Sequence, residues 1–489
     1  MDKIRAVGKR FVDQKGRERI FKGVNLVDKR FFSSDKNNIY TDGNEELIRH
    51  FAEIGVNLIR LGFNWSQIEP EPGKYNDEYI DNIGKVLDLC EKYNIHAFLD
   101  MHQDLYGQGE GTWGDGAPDW AMLTDGHKVK KMKIVWAEAY FWGKACHKAF
   151  DNFWKNTKYQ SKGLQDYYSD CWSHLIEKLG SKPAVIGYDI MNEPFPGTSG
   201  GKCFRNIVKG AVRTILFDSE IKKGKLIKDA LSKDRVPKVL GQISYGVLRK
   251  VTSGCDEIIR KFDREDYTPF VNRVTSAIRK AGGDGIIFLE NCYYSNLGIP
   301  YSGGPAEVDG KREENQAFAP HAYDFTVDTP MYKYASSDRV GGIFGEHKNS
   351  QERLNVPVVV GEWGGFGGDG DDWLPHISYL LKLFDSNKWS STYWCYIPEF
   401  FKSPLMKVFI RPYPKAVPGV IENYGYDEES KIFELSYEQG ESDCGETVIC
   451  APFNPKRFTV DGEERAINLD SAEIKIETSA GKHKIEVEF

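Results

Sequence analysis

Short, continuous apolar runs recur along the first four hundred residues, and longer stretches with helical spacing separate them. We predict eight strands, at 20–26, 56–62, 95–101, 185–191, 285–290, 316–321, 356–361 and 391–396. Continuous rather than alternating hydrophobicity is typical of parallel strands that are covered on both faces. Helical periodicity is clear at 45–54, which stops before Gly55, and at 77–93. This alternation predicts an α/β protein built on a (β/α)8 barrel.

Two long segments interrupt the alternation after the third and fourth predicted strands, at 103–165 and 194–270. In such a barrel, the loops that follow strands open on the face that carries the active site, where long loops shape a substrate cleft. The aromatic side chains of the first segment either form an apolar slot or pack the insertion onto the barrel, and the sequence favours neither. These aromatic residues are Trp113, Trp120, Trp136, Phe141, Trp142, Phe153 and Trp154.

The pattern changes from about residue 405 onward to short alternating runs. We predict strands at 431–437, 446–450, 457–460, 473–477 and 482–488. Turn residues such as Asp461-Gly462 separate these runs, as in antiparallel sheets. The chain is therefore predicted to divide into a catalytic barrel at 1–404, with both insertions, and a C-terminal antiparallel β-sandwich at 405–489.

Composition and charge narrow the class of protein. Hydrophobic residues make up 40% of the chain and charged residues 28%, as in an ordinary globular enzyme. The net charge of −7 argues against nucleic acid as a partner, because phosphate binding favours a basic face. Nine cysteines without a CxxC pattern do not predict a disulfide framework or a zinc site.

The N-terminal residues lack an apolar signal region, and no window approaches eighteen apolar residues. We therefore expect a cytoplasmic protein, or a secreted one if a signal peptide has been removed.

Two carboxylic acids follow apolar strands. The fourth predicted strand ends in Met191-Asn192-Glu193-Pro194 and the seventh in Gly361-Glu362-Trp363. One such glutamate alone is as often a surface acid or part of an ion pair. Two of them at the same mouth suit retaining glycoside hydrolysis, in which one acid protonates the leaving oxygen and the other attacks the anomeric carbon. The acid must then have a raised pKa while the nucleophile stays ionised.

These motifs resemble glycoside hydrolase family 5, a family of (β/α)8 retaining enzymes, along roughly residues 20–400. The resemblance implies that Glu193 is the general acid/base and Glu362 the nucleophile, with no cofactor and no metal. It further implies a set of substrate-binding residues, in which Arg60 holds the nucleophile, Asn192 binds the sugar 2-hydroxyl and Trp394 stacks on a sugar. The other members of this set are His102, His321 and Tyr323.

Within the family, the chain is most similar to the endoglycoceramidases, which cleave the β-bond between glycan and ceramide. The telling stretches are 99–108 (LDMHQDLYGQ), 188–197 (YDIMNEPFPG) and 359–368 (VVVGEWGGFG), together with 411–417, which opens the tail. The resemblance implies that Asp104 and Lys29 bind the first sugar. It also implies a glycolipid substrate and peripheral contact with a membrane or micelle surface.

Two alternatives stay open at this point. One is a β-glucanase or steryl-β-glucosidase of the same family. The other is a non-catalytic glycolipid-binding protein, against which the intact pair of Glu193 and Glu362 argues.

Overall fold

The protein is described from a computed structural model that covers residues 1–27, 44–107, 114–130, 136–368, 370–467, 469–470 and 472–489. All eight predicted barrel strands are present and pair in parallel in one sheet, with the first beside the eighth. In chain order they are Lys22–Val27, Leu58–Asn64, His96–His102, Val185–Asp189, Ile286–Leu289, Gln316–Phe318, Val359–Gly364 and Ser390–Trp394. The predicted barrel is confirmed.

The ring of strands closes between the sixth and the seventh. Parallel bridges join Phe318 to Val358 and His321 to Glu362. The second bridge lies beyond the end of the sixth strand, at the mouth of the barrel. It fixes His321 beside Glu362 by backbone pairing, before any side-chain contact is considered.

Helices cover the outside of the barrel, with their apolar faces buried against the strands. The two helices predicted from periodicity are Glu45–Glu53 and Asp77–Lys92. The side chains of Asn44 and Asn76 cap them by accepting hydrogen bonds from backbone N–H groups of the first turn. The other outer helices are Trp65–Ile68, Leu164–Leu179, Thr268–Lys280, Ser337–Leu354, Leu374–Asn387 and Met406–Phe409.

The two insertions carry further helices on the face where the strands end. Those after the third strand are Glu138–Trp142 and Lys144–Trp154, and those after the fourth are Thr198–Phe217, Lys223–Ala230, Arg235–Leu240, Tyr245–Thr252 and Asp256–Phe262. The remaining single turns and hairpins are Asp119–Ala121, Lys158–Tyr159, Lys162–Gly163, Ser253–Cys255, Asp263–Tyr267, Tyr293–Leu297, Glu307–Val308, Lys311–Arg312, Tyr332–Tyr334 and Phe400–Lys402.

Several aromatic side chains of the first insertion pack it onto the barrel. Trp120 and Phe153 both contact Trp65, with ring centroids 5.4 and 6.3 Å apart. Trp142 differs, because 52% of it is exposed. Trp113 lies outside the described residues. Packing therefore accounts for Trp120 and Phe153, whereas Trp142 remains at the surface.

The C-terminal region consists of two antiparallel sheets, as the alternating pattern predicts. One contains Val420–Asp427, Ile432–Gln439, Gly481–Glu488, Arg457–Val460 and Glu463–Glu464. The other contains Tyr413–Pro418, Thr447–Cys450, Glu473–Ile476, Leu469–Asp470 and three strands from the N-terminus: Ile4–Val7, Arg10–Asp13 and Arg17–Arg19. Apolar residues of both sheets, such as Val417 and Leu435, share one buried cluster.

The N-terminal strands were not predicted. They place residues 4–19 in the sheet of the tail, and their buried side chains Ile4 and Phe11 pack in a cluster with barrel residues such as Phe98. The predicted boundary between 1–404 and 405–489 stays a prediction. Among the helices of the described residues, none combines the length and apolar character that a membrane span requires.

Candidate active site

The guanidinium of Arg60, on the second barrel strand, organises the centre of the site and is fully buried. It donates hydrogen bonds to Asn25 Oδ1 (3.1 Å), Asp189 Oδ2 (2.8 Å), Asn192 Oδ1 (2.9 Å), Glu290 Oε1 (2.7 Å) and Glu362 Oε1 (2.8 Å). A carboxylate oxygen of Asp100 lies 3.1 Å from the same group. Burial lowers the pKa of Arg60, but these carboxylates outweigh it and hold the pKa well above the usual value. The site is therefore built around a permanent positive charge.

The buried acids around Arg60 do not share one protonation state. Burial and the neighbouring Glu290 raise the pKa of Asp189 well above its ordinary value. The pKa of Asp100 is lowered despite its burial, because Arg60 and His102 stabilise its charge. Asp189 thus favours the protonated form and Asp100 the ionised form, which reduces the negative charge that Arg60 has to balance.

Glu193 follows the fourth barrel strand and is only 5% exposed. Its carboxylate oxygen Oε1 accepts hydrogen bonds from Asn296 Nδ2 at 2.5 Å and from His321 Nδ1 at 3.1 Å. Burial, and next the charge of Glu362, raise the pKa of Glu193, although the hydrogen bond from His321 opposes this. The environment favours a protonated Glu193, as a general acid requires.

The backbone of Glu193 is held in an uncommon conformation. Its φ of +42° lies in the left-handed region, which residues other than glycine rarely adopt. The Glu193 N–H donates to Glu290 Oε2 at 3.1 Å, and Gln103 Nε2 donates to the carbonyl oxygen of Glu193 at 3.1 Å. These two contacts over-determine the turn and aim the carboxyl into the barrel mouth.

Glu362 lies on the seventh strand, and each of its oxygens accepts a hydrogen bond. Arg60 donates to Oε1 and the hydroxyl of Tyr323 donates to Oε2, both at 2.8 Å. The closest oxygens of Glu193 and Glu362 lie within 4.8 Å of each other and of a ring nitrogen of His321. This spacing suits a retaining pair, in which the carboxyl groups lie roughly 5–5.5 Å apart.

His321 lies between the two acids at the closed seam of the barrel. One of its ring nitrogens lies 3.0 Å from Glu290 Oε1, and the other lies 3.6 Å from Glu362 Oε2. Burial lowers the pKa of His321, but the charges of Glu290 and Glu362 outweigh it and raise the pKa well above the usual value. A protonated His321 adds a second positive charge to the site.

A second group of predicted residues forms one wall of the mouth. The ring of His102 stacks on Trp394, with centroids 5.4 Å apart and an interplanar angle of 13°. His102 Nδ1 lies 2.8 Å from Asp100 Oδ2, and Nε2 lies 3.7 Å from Asp104 Oδ2. The structure thus brings His102, Asp104 and Trp394 together, while Lys29 lies outside the described residues.

Among the residues that the structure describes, two groups bring three metal-ligand side chains within 4.8 Å of one another: Glu193 with His321 and Glu362, and His102 with Asp104 and Asp115. In the first group, the donors Arg60, Tyr323 and Asn296 already occupy carboxylate oxygens. Cationic and N–H donors at these positions suit a proton-transfer pair better than a metal centre.

Sequence reasoning missed several polar residues that set the geometry of the site. Asp100, Asp189 and Glu290 lie at or just after strand ends, so the argument used for Glu193 would also have found them. Asn296 lies in the turn Tyr293–Leu297 and carries no motif that marks it.

Comparisons with known proteins match most of this chain, in the barrel and in the C-terminal sheets. The chain matches the family model described as cellulase (glycosyl hydrolase family 5) over residues 12–220 and 247–399, and that of the glycoside hydrolase family 5 C-terminal domain over 411–487. An endoglycoceramidase from Hydra vulgaris is 25% identical over 499 residues, covering 94% of this chain and 81% of that protein. Endoglycoceramidase I from Rhodococcus hoagii is 29% identical over 453 residues, covering 89% and 77% respectively.

Among solved structures, that of endo-glycoceramidase II from Rhodococcus sp. in a ganglioside GM3 complex is similar with a TM-score of 0.74. It is 21% identical and covers 99% of both chains. At this level of identity the likeness supports the same fold throughout, including the C-terminal sheets.

Proposed function

Because the chain belongs to glycoside hydrolase family 5, we propose that it hydrolyses the β-glycosidic bond between glycan and ceramide, with Glu193 as acid/base and Glu362 as nucleophile. The observation that carries the proposal is the pair of buried carboxyl groups in unlike surroundings. Burial raises the pKa of Glu193, whereas Glu362 accepts hydrogen bonds from a permanent cation and from a tyrosine.

The geometry supports a double displacement. In the first step, Glu362 attacks the anomeric carbon while Glu193 gives its proton to the departing oxygen, which leaves with the aglycone. The ester that forms has lost the negative charge of Glu362, and this charge is one cause of the raised pKa of Glu193. The pKa of Glu193 therefore falls, and its carboxylate takes a proton from the water that hydrolyses the ester.

Neighbouring residues orient this chemistry. Asn192 Oδ1 accepts a hydrogen bond from Arg60, and Asn192 Nδ2 donates one of its two hydrogens to the carbonyl oxygen of Gln103 at 3.0 Å. The second amide hydrogen is left for the sugar 2-hydroxyl, whose hydrogen bond strengthens in the transition state. The stacked pair of His102 and Trp394 offers a flat wall for a sugar ring.

The likeness to relatives named endoglycoceramidases, which extends through the C-terminal sheets, supports ceramide as the aglycone. Such a substrate is embedded in a lipid phase, and we propose peripheral contact of the protein with a membrane or micelle surface. A β-glucanase or steryl-β-glucosidase would use the same acid pair with another aglycone, so the substrate assay has to separate them.

The test offers purified protein glucosylceramide, galactosylceramide, lactosylceramide and a soluble β-glucan in detergent, with the products identified by mass spectrometry. We expect release of intact glycan and free ceramide, and loss of activity in Glu193→Gln and Glu362→Gln. The exposed Glu71→Gln is the matched control and should retain activity. Cleavage of the glucan with the ceramides untouched would refute the lipid substrate.

The roles of the two acids are separated with an aryl glycoside whose leaving group needs no proton. Glu193→Gln should still form the glycosyl-enzyme with this substrate, and added azide should restore turnover. Glu362→Gln should form no covalent intermediate. A glycosyl adduct on a residue other than Glu362 would contradict the assignment of the nucleophile.

A further inference from the structure

Helix Thr198–Phe217 of the second insertion presents an apolar stripe to solvent. Val208, Val212, Ile215 and Leu216 are 45–52% exposed, and Phe217 is 79% exposed. The first four recur at intervals of four, three and one residues, which places them on one side of a helix. This side points away from the protein, because the opposite side carries the buried Cys203 and Thr214 and packs inward.

A basic stripe runs beside the apolar one. Lys202, Arg205, Lys209 and Arg213 are exposed and follow helical spacing. At about 100° per residue, this stripe lies roughly 80° around the helix axis from the apolar stripe. None of the four forms an ion pair with another described residue, and the helix itself contains no aspartate or glutamate. The positive charge is therefore not neutralised locally.

The surface continues beyond this helix on both sides. In the following helix, Lys223–Ala230, Ile227 is 62% exposed, and Leu231 just after it is 83% exposed. On the other side, the half-exposed Trp142 contacts Phe204, with ring centroids 5.5 Å apart. We call residues 198–240 together with Trp142 the basic–apolar surface.

The charge of this surface contrasts with that of the rest of the chain. Residues 198–240 contain eleven lysines and arginines against four aspartates and glutamates, a net charge of +7 in a chain whose total is −7. Residues 221–246 also fall in the gap of the match to the family model. This part of the surface is therefore not represented in the family model.

We propose that the basic–apolar surface docks the protein onto a lipid bilayer that contains anionic lipids. Helices with exposed apolar residues on one side and lysines and arginines beside them bind in the plane of the interface, and tryptophan favours the same depth. A second copy of the chain is a poor occupant, because it would bring two positively charged surfaces together.

The basic–apolar surface lies close to the active site in the fold. Helix Thr198–Phe217 begins five residues after Glu193, on the face of the barrel where the strands end. Docking through it brings the mouth of the barrel toward the lipid headgroups. The role of docking in reaching the substrate rests on the proposed glycolipid substrate, whereas the docking itself does not. The two are therefore tested separately.

The experiment measures co-sedimentation of the full chain with vesicles that contain no glycolipid. We expect binding to phosphatidylcholine vesicles with about one third phosphatidylserine, weak binding to pure phosphatidylcholine, and loss of binding as salt rises. The triple variant Arg205→Glu/Lys209→Glu/Arg213→Glu should bind at least about tenfold more weakly. Phe217→Ser/Leu231→Ser should also weaken binding, since it removes apolar contact and leaves the charge unchanged.

The matched control reverses three exposed lysines elsewhere, Lys85→Glu/Lys280→Glu/Lys311→Glu, and should bind within about twofold of the parent protein. Circular dichroism and hydrolysis of a soluble aryl glycoside check that each variant is folded. Equal loss in both triple variants would reduce the effect to net charge and overturn the proposal. So would no binding to anionic vesicles, or a concentration-dependent dimer that the triple variant abolishes.

Discussion

Replacing Arg60 by methionine is expected to make the stability of the protein strongly dependent on pH. The variant keeps a side chain of similar length but leaves the surrounding carboxyl groups without their shared cation. Asp189 already favours the protonated form, and the charged His321 balances one further acid. Two of the three remaining acids then lack a balancing charge, and a buried carboxylate without one favours its protonated form.

The magnitude follows from the cost of those protons. Carrying a carboxyl of ordinary pKa near 4 into its protonated form at pH 7 costs about 4 kcal/mol. Two such groups cost about 8 kcal/mol, against a total stability of roughly 5–15 kcal/mol for a folded domain. We therefore expect Arg60→Met to be at the edge of unfolding at pH 7.

The sign of the pH dependence distinguishes this cause from lost packing. In the parent protein Arg60 lowers the pKa of Asp100, so that contribution is present at neutral pH and is lost as the pH falls through the folded pKa. In the variant the folded-state pKa values lie above those of the unfolded chain. Stability should then rise by about 1.4 kcal/mol per pH unit and proton, or about 5 kcal/mol between pH 7 and pH 5.

Urea unfolding followed by tryptophan fluorescence at pH 7 and pH 5 measures this difference. Arg60→Lys is the control, because it keeps the charge and loses the branched hydrogen bonds. It should be less destabilised than Arg60→Met at pH 7 and show a weaker pH dependence. An equal loss of stability at both pH values in Arg60→Met would refute the reasoning.

Three further predictions concern single side chains. Tyr323→Phe removes the hydroxyl that donates to Glu362 at 2.8 Å. A hydrogen bond to a charged group contributes about 1.5–3 kcal/mol, so kcat/KM for an aryl glycoside should fall by about 10- to 100-fold. An unchanged kcat/KM would count against the role of Glu362. Asn296→Ala removes a donor that stabilises the ionised Glu193. The raised pKa of Glu193 should therefore rise further, and the basic limb of the pH–rate profile should move to higher pH. A shift of this limb to lower pH would contradict the prediction. Burial lowers the pKa of Lys22 to about 7. Because the unfolded chain keeps its proton up to a pKa of about 10.4, stability should rise between pH 7 and pH 10 in the parent protein. In Lys22→Met this rise should be smaller, and urea unfolding at pH 6 should show a gain of about 1–4 kcal/mol.

The barrel was predictable because its strands are buried on both faces and therefore appear as continuous apolar runs. Five strands of the tail, from Ile432–Gln439 onward, were predicted for the opposite reason, since alternation reports one buried face. The two strands that precede them, Tyr413–Pro418 and Val420–Asp427, were missed. The N-terminal strands gave no such signal. Arg17 and Arg19 are charged in the sequence but buried in the structure, because Asp13 and Asp2 accept hydrogen bonds from them.

The acid pair followed from the rule that strand ends meet at one face, and the same rule covers the acids around Arg60. Their protonation states did not follow, because these depend on distances among five buried groups that no local pattern encodes. Asn296 escaped for a related reason. It reaches Glu193 from a turn more than one hundred positions away along the chain, and only the folded barrel brings the two together.

The pairing of the N-terminal strands with the sheet of the tail affects how the protein unfolds. Arg19 donates to the carbonyl oxygen of Lys415 at 2.8 Å, and the backbone N–H of Ile421 donates to Glu18 at 2.8 Å. The first barrel strand begins only three residues after Arg19, so a very short connection joins the N-terminal strands to the barrel. The N-terminal segment contributes Ile20 to the apolar cluster of the tail and Ile4 and Phe11 to a cluster of barrel residues. Because it packs on both, the barrel and the tail should unfold in a single transition.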